Sequence, residues 1–330
     1  SPRIKGEINM MMNTRQEAWG SFGTDAIGET AEEVCKNGGL DFTAELQTLY
    51  DMRGTALTYK HKGVFRTDTQ ECLGVVGKTY NVAQHTTVAQ LAHRLTQTKL
   101  LNWGKVGSIN NGAKAWFNLE LPDEIVINGK ETIQTHLTLM NSHDGSSGIR
   151  VILGTYRVEC GNQLNALVSQ AKKASTYWTI RHTSKMEEAI EQMIEIIGMT
   201  SSLMDNWAEN AQNMIETKME LSDRIDFYLD HLPIQKNDEL VSETNPHGLA
   251  TRGNNILDRV LELETESQNQ IGDMNNTVWQ ALNTVTDYID HDWVTSKNGI
   301  LNAKRAESAI VGTGQRIKGK AWEAAVELLA

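Results

Sequence analysis

Residues 139–164, "LMNSHDGSSGIRVILGTYRVECGNQL", place a polar cluster next to an apolar run. The run "GIRVILGTYRV" is rich in β-branched residues, which is typical of a buried strand. An Asp-Gly pair favours a turn, and Asn and Ser side chains bond to nearby backbone in turns. We therefore interpret "NSHDG" as a structured turn beside a strand. The segment "RVECGN" is interpreted as the end of that strand and the cap of a following helix.

Hairpin signals lie on the N-terminal side of this stretch. We expect "FRTDTQECLGVV" to turn at "TDTQ", "GKVGSINNGAKAWFNLEL" at "NNG" and "PDEIVINGKETIQTHLTLMNS" at "NGK", because Asn-Gly between alternating apolar residues favours a tight hairpin. The periodicity of "TTVAQLAHRLTQ" predicts an amphipathic helix. Thr30 and Glu33 have the spacing of a capping box, and Gly38 and Gly39 are expected to end that helix.

The second half of the chain has a helical pattern. A helix is expected to start in "GNQLNALVSQAKKA", "TYWTIRHT" reads as a short extended piece, and Ser184 with Glu187 forms a second capping box. The prediction is an α+β fold, with a hairpin-rich antiparallel sheet and packed helices followed by a mainly helical C-terminal part. An α+β core domain is placed at 1–183 and a helical acidic domain at 184–330. Further helices are predicted at 253–270, 274–292 and 301–328.

Charge is distributed unevenly over the 330 residues. Residues 1–180 hold 18 Lys and Arg against 17 Asp and Glu, whereas residues 181–330 hold 13 against 25, which together give the net charge of −11. The three cysteines are scattered and lack CxxC spacing, which favours a reducing cytoplasm. No run of about 18 apolar residues occurs, and the first residues lack the apolar core of a signal peptide, so no membrane association is expected.

One segment carries basic and aromatic residues without acidic ones. Between Glu71 and Glu120 there is no Asp or Glu. A positive groove with aromatic faces is the usual design for binding single-stranded nucleic acid. The alternatives are that the tryptophans fill the core and that the arginines of the next strand pair with Asp144 or Glu159. The candidate contacts are Lys78, Lys99, Trp103, Lys105, Lys114, Trp116, Arg150, Arg157 and Arg181.

Catalytic and metal sites are weaker alternatives. His143, Asp144 and His182 are ligand types for a metal-dependent nuclease or hydrolase, but they lack a known metal-site spacing. Cys160 near a histidine is a possible nucleophile. The glycine-rich "GTGQRIKGK" lacks the Walker spacing, and we interpret it as a helix start with Lys318 and Lys320 exposed. No cofactor is predicted, and no catalytic residue is assigned.

The stretch "LMNSHDGSSGIRVILGTYRVECGNQLNAL" with "TIRHTSKMEEA" resembles the phage/plasmid-like protein family (domain of unknown function family 932). The blocks "FRTDTQECLGVVGKTYNVAQ", "NTVWQALNTVTDYIDHDW" and "NAKRAESAIVGTGQRIKGKAWEAA" also resemble it. The resemblance implies a setting in phages, prophages or plasmids and no established activity. Gly161 stands where the family more often has Gln, and Tyr156 where Val is usual. The family motif marks Ser142, His143, Asp144, Gly145, Arg157, Cys160, Asn162, Arg181, His182 and Thr183.

From these observations we expect one polar motif site and a non-enzymatic role. The expected function is binding or annealing of single-stranded DNA in replication or recombination, since the hairpin-rich half is similar in architecture to phage annealing proteins. A homo-oligomer is expected, with the acidic half contacting other subunits or a basic protein partner. A structural or protein-interaction role is a further alternative. The motif site comprises Asn141, Ser142, His143, Asp144, Gly145, Cys160, Asn162 and His182.

Overall fold

The protein has an α+β fold with strands in its N-terminal part and a mainly helical C-terminal part, which confirms the predicted fold class. Within the described ranges, every helix falls short of the length and apolar content that a membrane span requires. The structure, a computed structural model, describes residues 23–57, 60–97, 99, 101–121, 124–129, 131–157, 163–164, 177–180, 201–266, 269, 274–293, 308 and 312–329.

Two antiparallel sheets organise the N-terminal part. The larger sheet has the order β1-β5-β6-β8-β9-β10, with β7 also paired to β8 and β11 to β9, and the smaller sheet has the order β2-β3-β4. The strands are β1 (Gly23–Asp25), β2 (Ala44–Gln47), β3 (His61–Arg66), β4 (Cys72–Gly77), β5 (Asn102–Ile109), β6 (Lys114–Glu120), β7 (Ile125–Ile127), β8 (Glu131–Ser142), β9 (Ile149–Arg157), β10 (Gln163–Leu164) and β11 (Tyr177–Ile180).

Most of the helices lie in the C-terminal part, as the periodicity predicts. The helix Val278–Asp287 continues as a π-helix over Tyr288–Asp292, and a 3₁₀ turn covers Asp238–Leu240. The helices are α1 (Ala31–Asn37), α2 (His85–Gln97), α3 (Ser201–Glu216), α4 (Leu221–His231), α5 (Thr251–Thr265), α6 (Val278–Asp287) and α7 (Thr313–Glu327).

The predicted hairpins form because their turn residues adopt left-handed backbone angles. Asn110 and Asn111 have φ of 53° and 56° between β5 and β6, and Asn128 has φ of 51° between β7 and β8. Asparagine tolerates this region better than most residues, and a turn with these angles has a twist that matches that of the flanking strands. The capping box of Thr30 and Glu33 at the start of α1 is also present. These local predictions are confirmed.

The two faces of the large sheet meet different helices. Alternate residues of a strand point to opposite faces. The Asn141 side chain of β8 reaches His85 at the start of α2, so this face packs under α2. The alternate residues of β8, from His136 to Ser142 in steps of two, point to the opposite face of the sheet. On that side the charge of Lys318 in α7 acts on His136.

Two sequence-based predictions are wrong. Gln163 and Leu164 form β10 against β9 and not the start of a helix, because the free edge of β9 offers them hydrogen bonds there. The rest of the segment predicted to start this helix lies outside the described residues. Lys318 is not exposed: it is buried, with Nζ 2.6 Å from Asp290 Oδ1. Residues of both halves belong to one buried apolar cluster, and the division into domains at residue 183 stays a prediction.

Candidate anion-binding pocket

The polar stretch between β8 and β9 is a tight turn held by its own side chains. Asp144 Oδ1 accepts hydrogen bonds from Ser142 Oγ at 2.5 Å and from the Ser146 backbone N–H at 2.9 Å. Gly145 has φ of 77°, in the left-handed region where glycine is favoured. The predicted structured turn is therefore confirmed, and its carboxylate is the group that closes it.

A buried pair of imidazoles anchors the turn to the rest of the fold. His143 and His85 stack with ring centroids 4.1 Å apart, and both are fully buried. His143 Nε2 lies 2.8 Å from the Ala83 carbonyl, and His85 Nε2 lies 2.8 Å from the Gly112 carbonyl. Since a carbonyl only accepts, each ring donates from Nε2. These bonds tie β8, α2 and the β5–β6 turn together.

This arrangement argues for a structural role of His143. The His143 side chain points to the buried imidazole pair, whereas the carboxylate of Asp144 bonds to the turn. The two side chains therefore do not converge on one point. The described residues also hold no group of three or more His, Cys, Asp or Glu side chains that could bind a metal ion. His182, the third residue of the nuclease alternative, lies outside the described residues.

A pocket of about 160 Å³ lies beside the turn, on the opposite face of the sheet from the imidazole pair. Lys114 of β6 pairs in register with Ser142, and Arg150 of β9 pairs with Met140. Because cross-strand partners share a face, these four side chains lie on the same side of the sheet. The pocket is lined by Lys114, Met140, Asn141, Ser142, Ser146, Ser147, Arg150 and Gly312.

The pocket has more positive than negative charge. Lys114 Nζ lies 3.3 Å from Asp144 Oδ2, and the Lys114 side chain is only 12% exposed. Burial raises the pKa of Asp144, but hydrogen bonds from Ser142 and Ser146 and the charge of Lys114 lower it on balance, so the carboxylate stays ionised. Half-buried Arg150 forms no ion pair with any residue that the structure describes. One cationic side chain is thus left for a ligand.

The N-terminus of α7 completes the pocket. Gly312 is the N-cap of this helix and provides no side-chain hydrogen bond. The N–H of Gly314 in the first turn donates to Ser308 Oγ at 3.1 Å, so this group is already occupied within the protein. Helix N-termini carry a partial positive charge and present backbone N–H groups, which favours anions. The glycine-rich segment that lacks the Walker spacing therefore reaches the same pocket as the turn, although about 160 residues of sequence separate them. Sequence spacing carried no signal for this contact.

The residues predicted to bind nucleic acid differ in accessibility. Lys78, Lys99 and Lys105 are exposed, and Trp103 is half-buried against the core. Trp116 is only 6% exposed, and its ring packs directly over Gly23. Because the protein covers its ring faces, Trp116 cannot stack on a base. The prediction of a base contact is corrected here, and Trp116 is a core tryptophan.

Several predicted site residues cannot be located. Only the backbone of Arg157 is described, paired with Ile133 at the end of β9. Four other predicted residues lie outside the described residues, and so does Thr183 of the family motif. Sequence analysis in turn missed four residues of the pocket. The residues outside the described ranges are Cys160, Asn162, Arg181 and His182, and the missed ones are Met140, Ser146, Ser147 and Gly312.

Comparison with known proteins identifies the family of the chain. No curated protein and no solved structure matches the chain significantly. A family model described as a domain of unknown function (DUF932) matches residues 72–310, which is more than half of the chain and includes the turn, Lys114 and Arg150. The chain therefore belongs to the domain of unknown function family 932.

Proposed function

We propose that this protein binds single-stranded DNA without catalysing a reaction, and that the pocket holds a phosphate of the strand. One observation carries the proposal: Lys114, Arg150 and the N-terminus of α7 converge on one small pocket. A phosphate accepts charge-assisted hydrogen bonds from lysine, arginine and helix N–H groups. The serine hydroxyls at the pocket add neutral donors.

The net charge of −11 does not oppose this proposal, because charge acts locally. At physiological ionic strength, charges more than about 8 Å apart are largely screened from each other. The acid-free segment 72–119 contributes Lys114 to the pocket and exposes Lys78, Lys99 and Lys105. These lysines are candidates for contacts with further phosphates, which supports a polymeric ligand.

The biological setting is inferred from the family. The resemblance to a phage/plasmid-like family supports, in this proposal, a role in the replication or recombination of a mobile element. In this proposal several copies line up their sheets along one strand. The acidic C-terminal half then serves contacts between subunits or recruits a basic partner protein.

A second candidate function is protein interaction, favoured by one exposed apolar loop. Tyr50, Met52 and Leu57 follow β2 and are 62%, 105% and 56% exposed. Large apolar side chains grouped on a surface mark interaction sites more often than isolated ones do. If this loop joins subunits, replacing all three by serine lowers the molar mass measured by light scattering.

The DNA proposal is tested by fluorescence anisotropy of a labelled oligonucleotide, single-stranded and then duplex, from low to physiological salt. We expect salt-sensitive binding that favours the single strand, with Arg150→Ala and Lys114→Met each weakening it about tenfold or more. Lys320→Ala is the matched control, because Lys320 is an exposed lysine of α7 away from its N-terminus. Equal binding by all variants would overturn the role of the pocket.

A further inference from the structure

The pocket is too small for a whole nucleotide. Sites that hold complete small molecules measure about 300–1,000 Å³, whereas this pocket measures about 160 Å³. A phosphate group fits such a space, and the sugar and base it carries must remain outside.

One of the two cationic groups of the pocket is deeply buried. The Lys114 side chain is 12% exposed, and its neighbours Met140 and Ser142, which also line the pocket, are 4% and 1% exposed. An internal phosphodiester has a chain branch on both sides, and both branches must leave the pocket. A terminal phosphate has one branch only, so it reaches these buried groups with less of the strand to accommodate.

The charge balance also favours a terminal phosphate. A phosphate monoester carries about −1.5 to −2 at neutral pH and has three terminal oxygens, whereas a diester carries one negative charge and has two. Among the described residues, two cationic side chains and a helix N-terminus lie at the pocket, and the carboxylate of Asp144 is the anionic group that contacts one of them. Arg150 has a planar fork that can bind two phosphate oxygens at once. The hydroxyls of Ser146 and Ser147 offer donors for the third oxygen.

We propose that the pocket of Lys114, Arg150 and the α7 N-terminus recognises the terminal phosphate of a DNA strand in preference to an internal phosphodiester. This inference rests on the proposed function, since it names the part of the DNA that the same pocket takes. The protein would then mark strand ends, where annealing and recombination begin.

The test compares single strands of one sequence with an internal label: one with a 5′-phosphate, one with a 3′-phosphate, one with hydroxyl groups at both ends, and a circular strand. We expect one or both phosphorylated strands to bind about tenfold or more tightly than the other two. Arg150→Ala removes this preference, and Arg150→Lys, which keeps the charge but not the fork, restores only part of it. Inorganic phosphate competes with the phosphorylated end.

Other outcomes separate the two proposals. If all four strands bind equally and binding still depends on Arg150, the end preference is refuted and DNA binding stands. If none binds at low salt, the proposed function itself fails. If Arg150→Ala keeps the preference for a phosphorylated end, the pocket is not the site of recognition.

Discussion

Two charged clusters on the same face of the large sheet differ in how their charges are compensated. On the buried side of α7, Lys318 and Asp290 form an ion pair whose side chains are 1% and 0% exposed. At the open end of that face, Lys114 pairs with Asp144 while Arg150 has no ionic partner among the described residues. The first cluster is sealed and neutralised by the protein. The second is left with a positive charge at a pocket.

The difference indicates which charges serve the fold and which are available to a ligand. A buried ion must be paired, because desolvation of a lone charge costs several kcal/mol. A charge at a pocket stays hydrated and needs no internal partner. One helix joins the two clusters, since Gly312 and Lys318 are about 9 Å apart along α7 at a rise of 1.5 Å per residue. The sealed pair therefore positions the helix end that lines the pocket.

Breaking the sealed pair gives the largest expected effect. Lys318→Met removes the buried cation that lies 2.6 Å from the Asp290 carboxylate, and we expect the free energy of unfolding to fall by about 3–5 kcal/mol. Denaturant unfolding measures it. Lys320→Met, two residues along the same helix and exposed, is the control and changes it by about 0.5 kcal/mol or less.

The double variant Lys318→Met with Asp290→Leu sharpens this prediction. It removes both charges and should recover most of the lost stability. A double variant as unstable as the single one would show that the pair acts through packing and not through charge.

The second prediction concerns His136, which faces the sealed pair. Burial and the charge of Lys318 lower the pKa of His136 to about 4. The unfolded chain, with a pKa near 6.5, binds this proton more readily. Stability is therefore fully present above pH 6.5 and falls by about 3 kcal/mol as the pH drops to about 4.

The His136→Gln variant isolates this effect in unfolding experiments run across that pH range. Its stability should vary less with pH than that of the wild type, whereas His61→Gln, at an exposed histidine, should keep the wild-type profile. An unchanged profile for His136→Gln would contradict a buried neutral imidazole.

A smaller effect is expected where the small sheet touches the pocket turn. A Cβ added at Gly74 of β4 would lie 2.4 Å from Asp144 Cα, whereas one added at Gly77 meets nothing within 4 Å. Gly74→Ala should cost about 1–3 kcal/mol, because backbone cannot yield as a side chain does. It should also weaken DNA binding by moving the turn. Gly77→Ala is the control in both measurements, and equal effects of the two would refute the contact.

The smallest expected effect on stability is at the pocket itself. Arg150→Ala breaks no ion pair with the described residues, so the unfolding free energy should change by about 0.5 kcal/mol or less while DNA binding weakens about tenfold or more. The same denaturant experiment measures it. A loss as large as that of Lys318→Met would show that Arg150 serves the fold, and the comparison between the two clusters would fail.

Local patterns in the sequence predicted the elements that depend on neighbouring residues. The hairpin turn at Asn110 and Asn111, the capping box at Thr30 and the turn at Asp144 all follow from backbone preference or from bonds within a few residues. The fold class follows from the same patterns. Strand β10 was missed because it forms by pairing with the free edge of β9. The local sequence of β10 gives no sign that this edge is nearby.

The candidate site depended on contacts between distant segments. Sequence identified Lys114, Arg150 and the "NSHDG" turn as polar, and it identified the start of α7 as glycine-rich, but it assigned them to different roles. Only packing shows that Gly312 meets the turn, that Lys318 is buried on Asp290 and that Trp116 is covered. Short-range order is determined by backbone angles and alternation, whereas the burial of a charge or a ring is determined by whichever distant element packs against it.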